Sequence, residues 1–125
     1  MLQTRNAMAT LAVKDIGVAR KFYEGVLGLK ESGTEGPSVV SYTSGTSELL
    51  VYESQYAGTN RATAATWVVG DELDGIVRQL GSKGVRFEHY DLPDTRREGD
   101  VHISGSTRVA WFKDPDGNIL SLVNG

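Results

Sequence analysis

The sequence predicts an α+β domain of two tandem βαβββ modules that form a cup-shaped mixed sheet around one pocket. Three observations carry this prediction. Each half opens with a short strand-like segment followed by an amphipathic helical stripe. Each stripe stops at a glycine and passes into further β-rich segments. The two halves also repeat at an offset of 56 residues.

The first strand is expected over Ala7 to Val13, where neighbouring residues alternate between two faces. Asp15 stands where a helix N-cap belongs. Ala19, Phe22, Tyr23, Val26 and Leu27 then recur at helical spacing, and Gly28 supplies a C-terminal stop. Ser38 to Thr43 and Glu48 to Glu53 are β-rich, with a turn at Ser44 to Ser47 between them. Module one thus covers about 7–53, and the polar stretch 54–63 is a linker.

Module two covers about 64–123. Its first strand is Ala64 to Val69, and Asp71 is the expected cap, supported by Asp74. Leu73, Ile76, Val77 and Leu80 form the helical stripe, and Gly84 ends it. Val85 to Tyr90 reads as a strand, Leu92 to Thr107 as a long polar loop. Arg108 to Lys113 and Asn118 to Val123 are strands joined by the turn Asp114-Pro115-Asp116-Gly117. The offset places Thr10 on Thr66, Val13 on Val69, Asp15 on Asp71 and Gly28 on Gly84. These matches fall on strand ends, caps and stops, which is what a structural repeat requires.

Composition narrows the function. At 125 residues, with 39% hydrophobic and 23% charged residues, the chain suits one folded domain with a core, and not a disordered polymer. Net charge is −3 and no basic stripe is present, so nucleic acid is not an expected partner. There is no cysteine, which excludes disulfides, thiolate metal sites and a cysteine nucleophile. No run approaches the roughly 18 apolar residues of a membrane span, and no signal peptide is visible. A cytoplasmic protein with no membrane partner is expected.

The chain resembles the glyoxalase / bleomycin-resistance / extradiol dioxygenase superfamily, the vicinal oxygen chelate proteins. The resemblance is carried by Ala12-Val13-Lys14-Asp15, by Lys21-Phe22-Tyr23 with Val26-Leu27-Gly28-Leu29, and by Trp111-Phe112-Lys113-Asp114-Pro115-Asp116-Gly117-Asn118. It spans Ala7 to Val123. It implies one concave site, with a metal held by the first and last strands of each module in those members that bind one. Carried over by position, the four slots are Met8, Leu50, Ala64 and Ser121. A thioether, two alkyl groups and a hydroxyl are poor donors for Zn²⁺, Ni²⁺ or Fe²⁺, which take imidazole and carboxylate. A register shifted by two gives Thr10, Tyr52 or Glu48, Thr66 and Ile119, with at most one carboxylate and no imidazole. The expectation is therefore no metal and no cofactor.

A small-molecule ligand is expected on a pocket lined by Met8, Thr10, Leu50, Tyr52, Thr66, Trp111 and Ser121. Trp111 and Tyr52 offer flat amphipathic surface; Trp67, of other parity, is expected under the helices. Glu48 and His89 are the candidate acid–base residues. His89 and His102, the only histidines, read as a sheet-edge residue and a solvated loop residue; the alternative, a metal held by both, needs them to meet with Asp91 or Glu98. Segment 92–107, with Arg96 and Arg97, is either a lid that meets an anionic ligand or a solvated loop. The two carboxylates of the Asp114–Gly117 turn serve conformation. The first functional reading is a metal-free small-molecule-binding protein that pairs as a homodimer. The alternative is an enzyme of the same superfamily, working with a non-standard metal site or by metal-free acid–base catalysis.

Overall fold

The computed structural model describes all residues from 1 to 125. The chain divides into two compact units, Met1–Thr59 and Asn60–Gly125.

Unit one contains β1 (Ala9–Val13), α1 (Ile16–Arg20), β2 (Lys30–Thr34), β3 (Val39–Ser44) and β4 (Ser47–Glu53). Its sheet has the order β1-β4-β3-β2, with β1 parallel to β4 and the other neighbours antiparallel. Asp15 caps α1 as expected, its carboxylate accepting from the Val18 N–H at 3.1 Å. A second carboxylate works at the same helix end. Glu53, at the end of β4, accepts from the Ile16 N–H and the Ser38 hydroxyl, each at 3.1 Å. It ties helix, sheet and loop together. The expected helical stripe is helical throughout, but α1 passes into a π-helical segment, Lys21–Val26, before Gly28 stops it at φ 72°. Tyr23 is fully buried there, stacked at 6.1 Å on Tyr42, and the Tyr42 hydroxyl donates to Glu24 at 2.8 Å. β2 lies outside the two segments the sequence marked most clearly; all but Gly33 of its residues are exposed, so it carries no apolar alternation to read.

Unit two contains β5 (Thr63–Val68), α2 (Leu73–Ser82), β6 (Phe87–Glu88), β7 (Arg96–Glu98), β8 (Val101–Ser104), β9 (Thr107–Lys113) and β10 (Ile119–Val123). The sheet runs β5-β10-β9-β8-β7, with β6 also on β9. β5 is parallel to β10. Without β7 and β8 the order is β5-β10-β9-β6, the same as β1-β4-β3-β2 in unit one. The repeat read from the sequence is thus a repeat of topology, and the β7–β8 hairpin is an insertion into its second copy.

Four local expectations need correction. Segment 92–107 is not one loop: it holds the β7–β8 hairpin, which turns at Gly99. The strand expected over Val85 to Tyr90 shrinks to Phe87–Glu88, because β8 takes up the rest of the β9 edge. β1 starts at Ala9, not at Ala7. Asp71 caps no helix, since it lies inside a 3₁₀ turn, Gly70–Glu72, that leads into α2 without a side-chain cap. Asp74 does not support such a cap; it takes a two-point bond from Arg108 on β9, at 3.0 and 3.1 Å. Arg108 holds the Asp74 carboxyl below its usual range.

In both units strand alternation separates a packed face from an open one. Leu11, Val13, Val40, Tyr42, Leu49 and Val51 are buried in unit one, and α1 packs on β4. Leu73, Leu80, Ala110, Phe112, Leu120 and Leu122 are buried in unit two. Trp67 pairs in register with Leu122, so it shares the packed face, as its parity predicts. The Asp114–Gly117 turn is held by its own carboxylate. Asp114 is buried and accepts from the N–H groups of Asp116 and Asn118 and from the Asn118 amide, at 2.8 to 2.9 Å.

Candidate functional site: the open faces of the two sheets

The remaining strand residues form the open faces. In unit one these are Thr10 and Ala12 of β1 and Glu48, Leu50 and Tyr52 of β4. Thr10 is opposite Leu50 and Ala12 opposite Tyr52 in the parallel register. Met8 lies just before β1 and is exposed. It shares a cleft of about 540 Å³ with Asn6, Ala7, Thr46, Ser47 and Glu48. Glu48 is exposed at that cleft.

In unit two the open face is more elaborate. Thr66, Ser121 and Trp111 sit side by side on β5, β10 and β9. The Thr66 and Ser121 hydroxyls are bonded to each other at 2.7 Å, and Ser121 is buried. The Trp111 indole N–H donates to the Thr63 hydroxyl at 3.2 Å. Trp111 is half-buried, and two further rings meet it edge-on: His102 at 4.8 Å and Tyr90 at 5.3 Å between centroids. Ala64 is half-buried at an irregularity where β5 and β10 slip in register.

His102 corrects a sequence expectation. It is not solvated; it is 1% exposed, on β8 opposite Val109. Its Nε2 accepts from the Tyr90 backbone N–H at 2.9 Å. Nε2 is therefore bare, and the ring proton sits on Nδ1. That Nδ1–H is buried without a partner, as is the Tyr90 hydroxyl. A buried donor left unsatisfied costs about 1–3 kcal/mol, so two of them around one tryptophan mark a place that calls for an acceptor. Burial also holds the Tyr90 hydroxyl above its usual range.

His89 follows β6 and is half-exposed. Its Nε2 lies 2.7 Å from Asp100 Oδ1 and 3.4 Å from an Arg97 nitrogen. Its ring is 6.4 Å from that of His102. Arg97 also donates to the Gly99 carbonyl at 2.7 Å, and Arg96 pairs with Glu98.

A family model described as the Glyoxalase/Bleomycin resistance protein/Dioxygenase superfamily matches residues 5–122. The chain belongs to this superfamily. Among solved structures of the superfamily fold, the fosfomycin resistance protein FosX of Mesorhizobium loti has 17% identity and a TM-score of 0.70, over 100% of this chain and 94% of that one. Lactoylglutathione lyase of Agrobacterium tumefaciens has 17% identity and a TM-score of 0.71, over 98% and 95%. FosX of Listeria monocytogenes, solved with Mn(II) and sulfate, has 17% identity and a TM-score of 0.73, over 100% and 92%. At such identities the likeness is one of fold. No curated protein sequence matches the chain.

Superfamily resemblance gives metal slots to Met8, Leu50, Ala64 and Ser121, and the residues present do not fit a metal. The one slot with an oxygen donor, Ser121, already shares its hydroxyl with Thr66. The open face of unit one offers the Glu48 carboxylate at the Met8 cleft, and on that of unit two the bare Nε2 of His102 is already taken by the Tyr90 N–H. No group of three or more His, Asp or Glu side chains is placed to share an ion. Of the sequence-derived residues, the structure joins Thr66, Ser121 and Trp111 on one face and Thr10 with Leu50 and Tyr52 on another. Tyr90, Thr63 and Asp100 were not foreseen at the site, Arg97 was expected there only as part of a lid, and His102 was expected as a solvated loop residue. The run Val101-His102-Ile103, two β-branched residues around a histidine, was the signal for a strand within the presumed loop.

Proposed function

We propose that this superfamily member is a metal-free small-molecule-binding domain. The observation that carries the reading is the hydroxyl pair Thr66–Ser121 where a metal ligand is expected, set beside the half-exposed ring of Trp111. A flat aromatic floor with a few hydroxyls suits a moderately hydrophobic, partly planar ligand with polar substituents. The open face of unit one has the same character in Met8, Thr10, Leu50 and Tyr52, a thioether, a hydroxyl, an alkyl group and a phenol. The ligand takes the place that metal chemistry occupies in other members. Two copies pair as a homodimer in the cytoplasm; this part of the proposal rests on superfamily analogy and is checked by sedimentation.

The test is tryptophan fluorescence of the purified protein against a panel of planar aromatic and conjugated carbonyl compounds. Binding is expected to change the Trp111 signal saturably and without added metal. A panel that binds only when a divalent cation is supplied overturns the reading.

A further inference from the structure

Every side chain in polar contact with His89 comes from the β7–β8 hairpin, the insertion that unit one lacks. Asp100 and Arg97 touch its Nε2, and His102 lies in ring contact. At 2.7 Å from a carboxylate oxygen, Nε2 is the protonated nitrogen and donates to Asp100; the Arg97 nitrogen at 3.4 Å is then a neighbouring charge and not a hydrogen-bond partner of that atom. The neutral ring then carries its lone pair on Nδ1, and no hydrogen bond within the protein occupies that atom. The imidazole is thus held in one tautomer by a carboxylate, with its basic nitrogen free and its side chain 45% exposed. The Arg97 guanidinium alongside is a fixed positive charge. The unpartnered Nδ1–H of buried His102 and the hydroxyl of Tyr90 are donors without an acceptor, in contact with Trp111.

We propose that His89 is a metal-free general base, oriented by Asp100, that removes a proton from a planar carbonyl or heteroaromatic carbon acid resting on Trp111. This rests on the reading of the Trp111 face as a ligand floor. His89 Nδ1 takes the proton, and the C–H electron pair moves into the substrate's conjugated system. The negative charge arrives on a substrate oxygen, for which the exposed Arg97 guanidinium is the nearby donor. The cycle closes when His89 returns the proton to the substrate anion at another atom, giving a tautomer; where a substrate bond breaks instead, its electron pair leaves with the anion and the proton passes from His89 to water. Asp100 is a positioning residue: it fixes the tautomer and touches no substrate atom.

A probe with this chemistry is 5-nitrobenzisoxazole. Loss of its ring C–H proton to the base forms the nitrile as the N–O bond breaks, and that bond's electron pair leaves on the coloured phenolate. The full chain should turn it over at least ~100-fold faster than an equal concentration of free imidazole, within the usual range for a placed base. The rate should rise with pH to a plateau as one group loses its proton. His89→Gln should fall to the imidazole level, lose the pH profile, and keep both its melting temperature and its binding of the probe by Trp111 fluorescence. Asp100→Asn should lower kcat by about tenfold with little change in KM, as expected for a wrong tautomer. Turnover that persists in His89→Gln overturns the proposal. A probe that binds but reacts only at the rate of free imidazole overturns the dyad and leaves the binding function standing. A probe that neither binds nor reacts overturns the dyad as stated, while the wider ligand panel still decides the binding function separately.

Discussion

The Thr66 and Ser121 side chains bond to each other at 2.7 Å from positions directly opposite in the β5–β10 register. The equivalent pair in unit one, Thr10 and Leu50, offers one hydroxyl and one alkyl group. A metal site of this superfamily would draw its ligands from such first and last strands of each module. Here those strands present groups that satisfy each other or need no partner.

Metal content is the first consequence. The purified chain should carry no stoichiometric Zn, Ni, Fe or Mn by elemental analysis. Adding these ions should leave the melting temperature unchanged. A ligand present at a hundred times its Kd stabilises by about 2.7 kcal/mol, a shift easily seen in a domain of this size. A shift of that order on adding one of these ions, or one metal per chain, counts against the metal-free reading.

Trp111 should report the ligand. The chain has two tryptophans, and Trp67 lies on the packed face. Trp111→Phe should therefore abolish most of the ligand-dependent fluorescence change while Trp67 emission remains. If the whole signal survives in the variant, Trp111 is not the floor.

Asp114 should matter for stability more than its place in a surface turn suggests. Three N–H groups converge on its buried carboxylate. Asp114→Ala strands those donors and should cost about 3 kcal/mol in urea denaturation, the range for hydrogen bonds to a charged group. A loss below about 1 kcal/mol would mean that water replaces the carboxylate at no cost.

Glu53 should act as the second cap of α1. Glu53→Ala removes the acceptor of the Ile16 N–H and of the Ser38 hydroxyl. Loss of roughly 1 kcal/mol is expected, the usual size of a cap. The double variant with Asp15→Ala should lose more than either single one, since the two carboxylates serve different N–H groups.

Tyr42 should set an alkaline limit. Burial raises its hydroxyl above the ordinary 10.0, and the hydrogen bond to Glu24 raises it further. The folded chain thus holds the proton more tightly than the unfolded chain. The associated stability is fully present below pH 10 and is lost as pH rises above it. Tyr42→Phe should flatten the fall in stability above pH 10, measured by denaturant titration across that range. An unchanged slope would assign the alkaline limit to another group.

The features legible in the sequence are those that local chemistry decides. Asp15 caps a helix because its short carboxylate reaches an N–H three residues on. Gly28 and Gly84 end helical segments because φ of 72° and 91° suits a residue without Cβ. The alternation of Leu49 and Val51 against Leu50 and Tyr52 identifies a strand with one buried face. The offset of 56 residues foretells the shared strand order. Other features depend on partners far along the chain. Asp71 has the sequence of a cap, yet Arg108 and a 3₁₀ turn decide how that helix begins. β7 is fully exposed and has no apolar alternation, so only its pairing with β8 makes it a strand. His102 looks solvated in a polar stretch, but that pairing and the rings of Tyr90 and Trp111 bury it. The sequence by itself determined an α+β fold of two repeated units, because caps, stops, alternation and side-chain chemistry are local. Only the tertiary structure decided that His89, Asp100, His102 and Trp111 form one cluster, because hydrogen bonds and ring contacts between residues 9 to 13 positions apart depend on how the inserted hairpin pairs with β9.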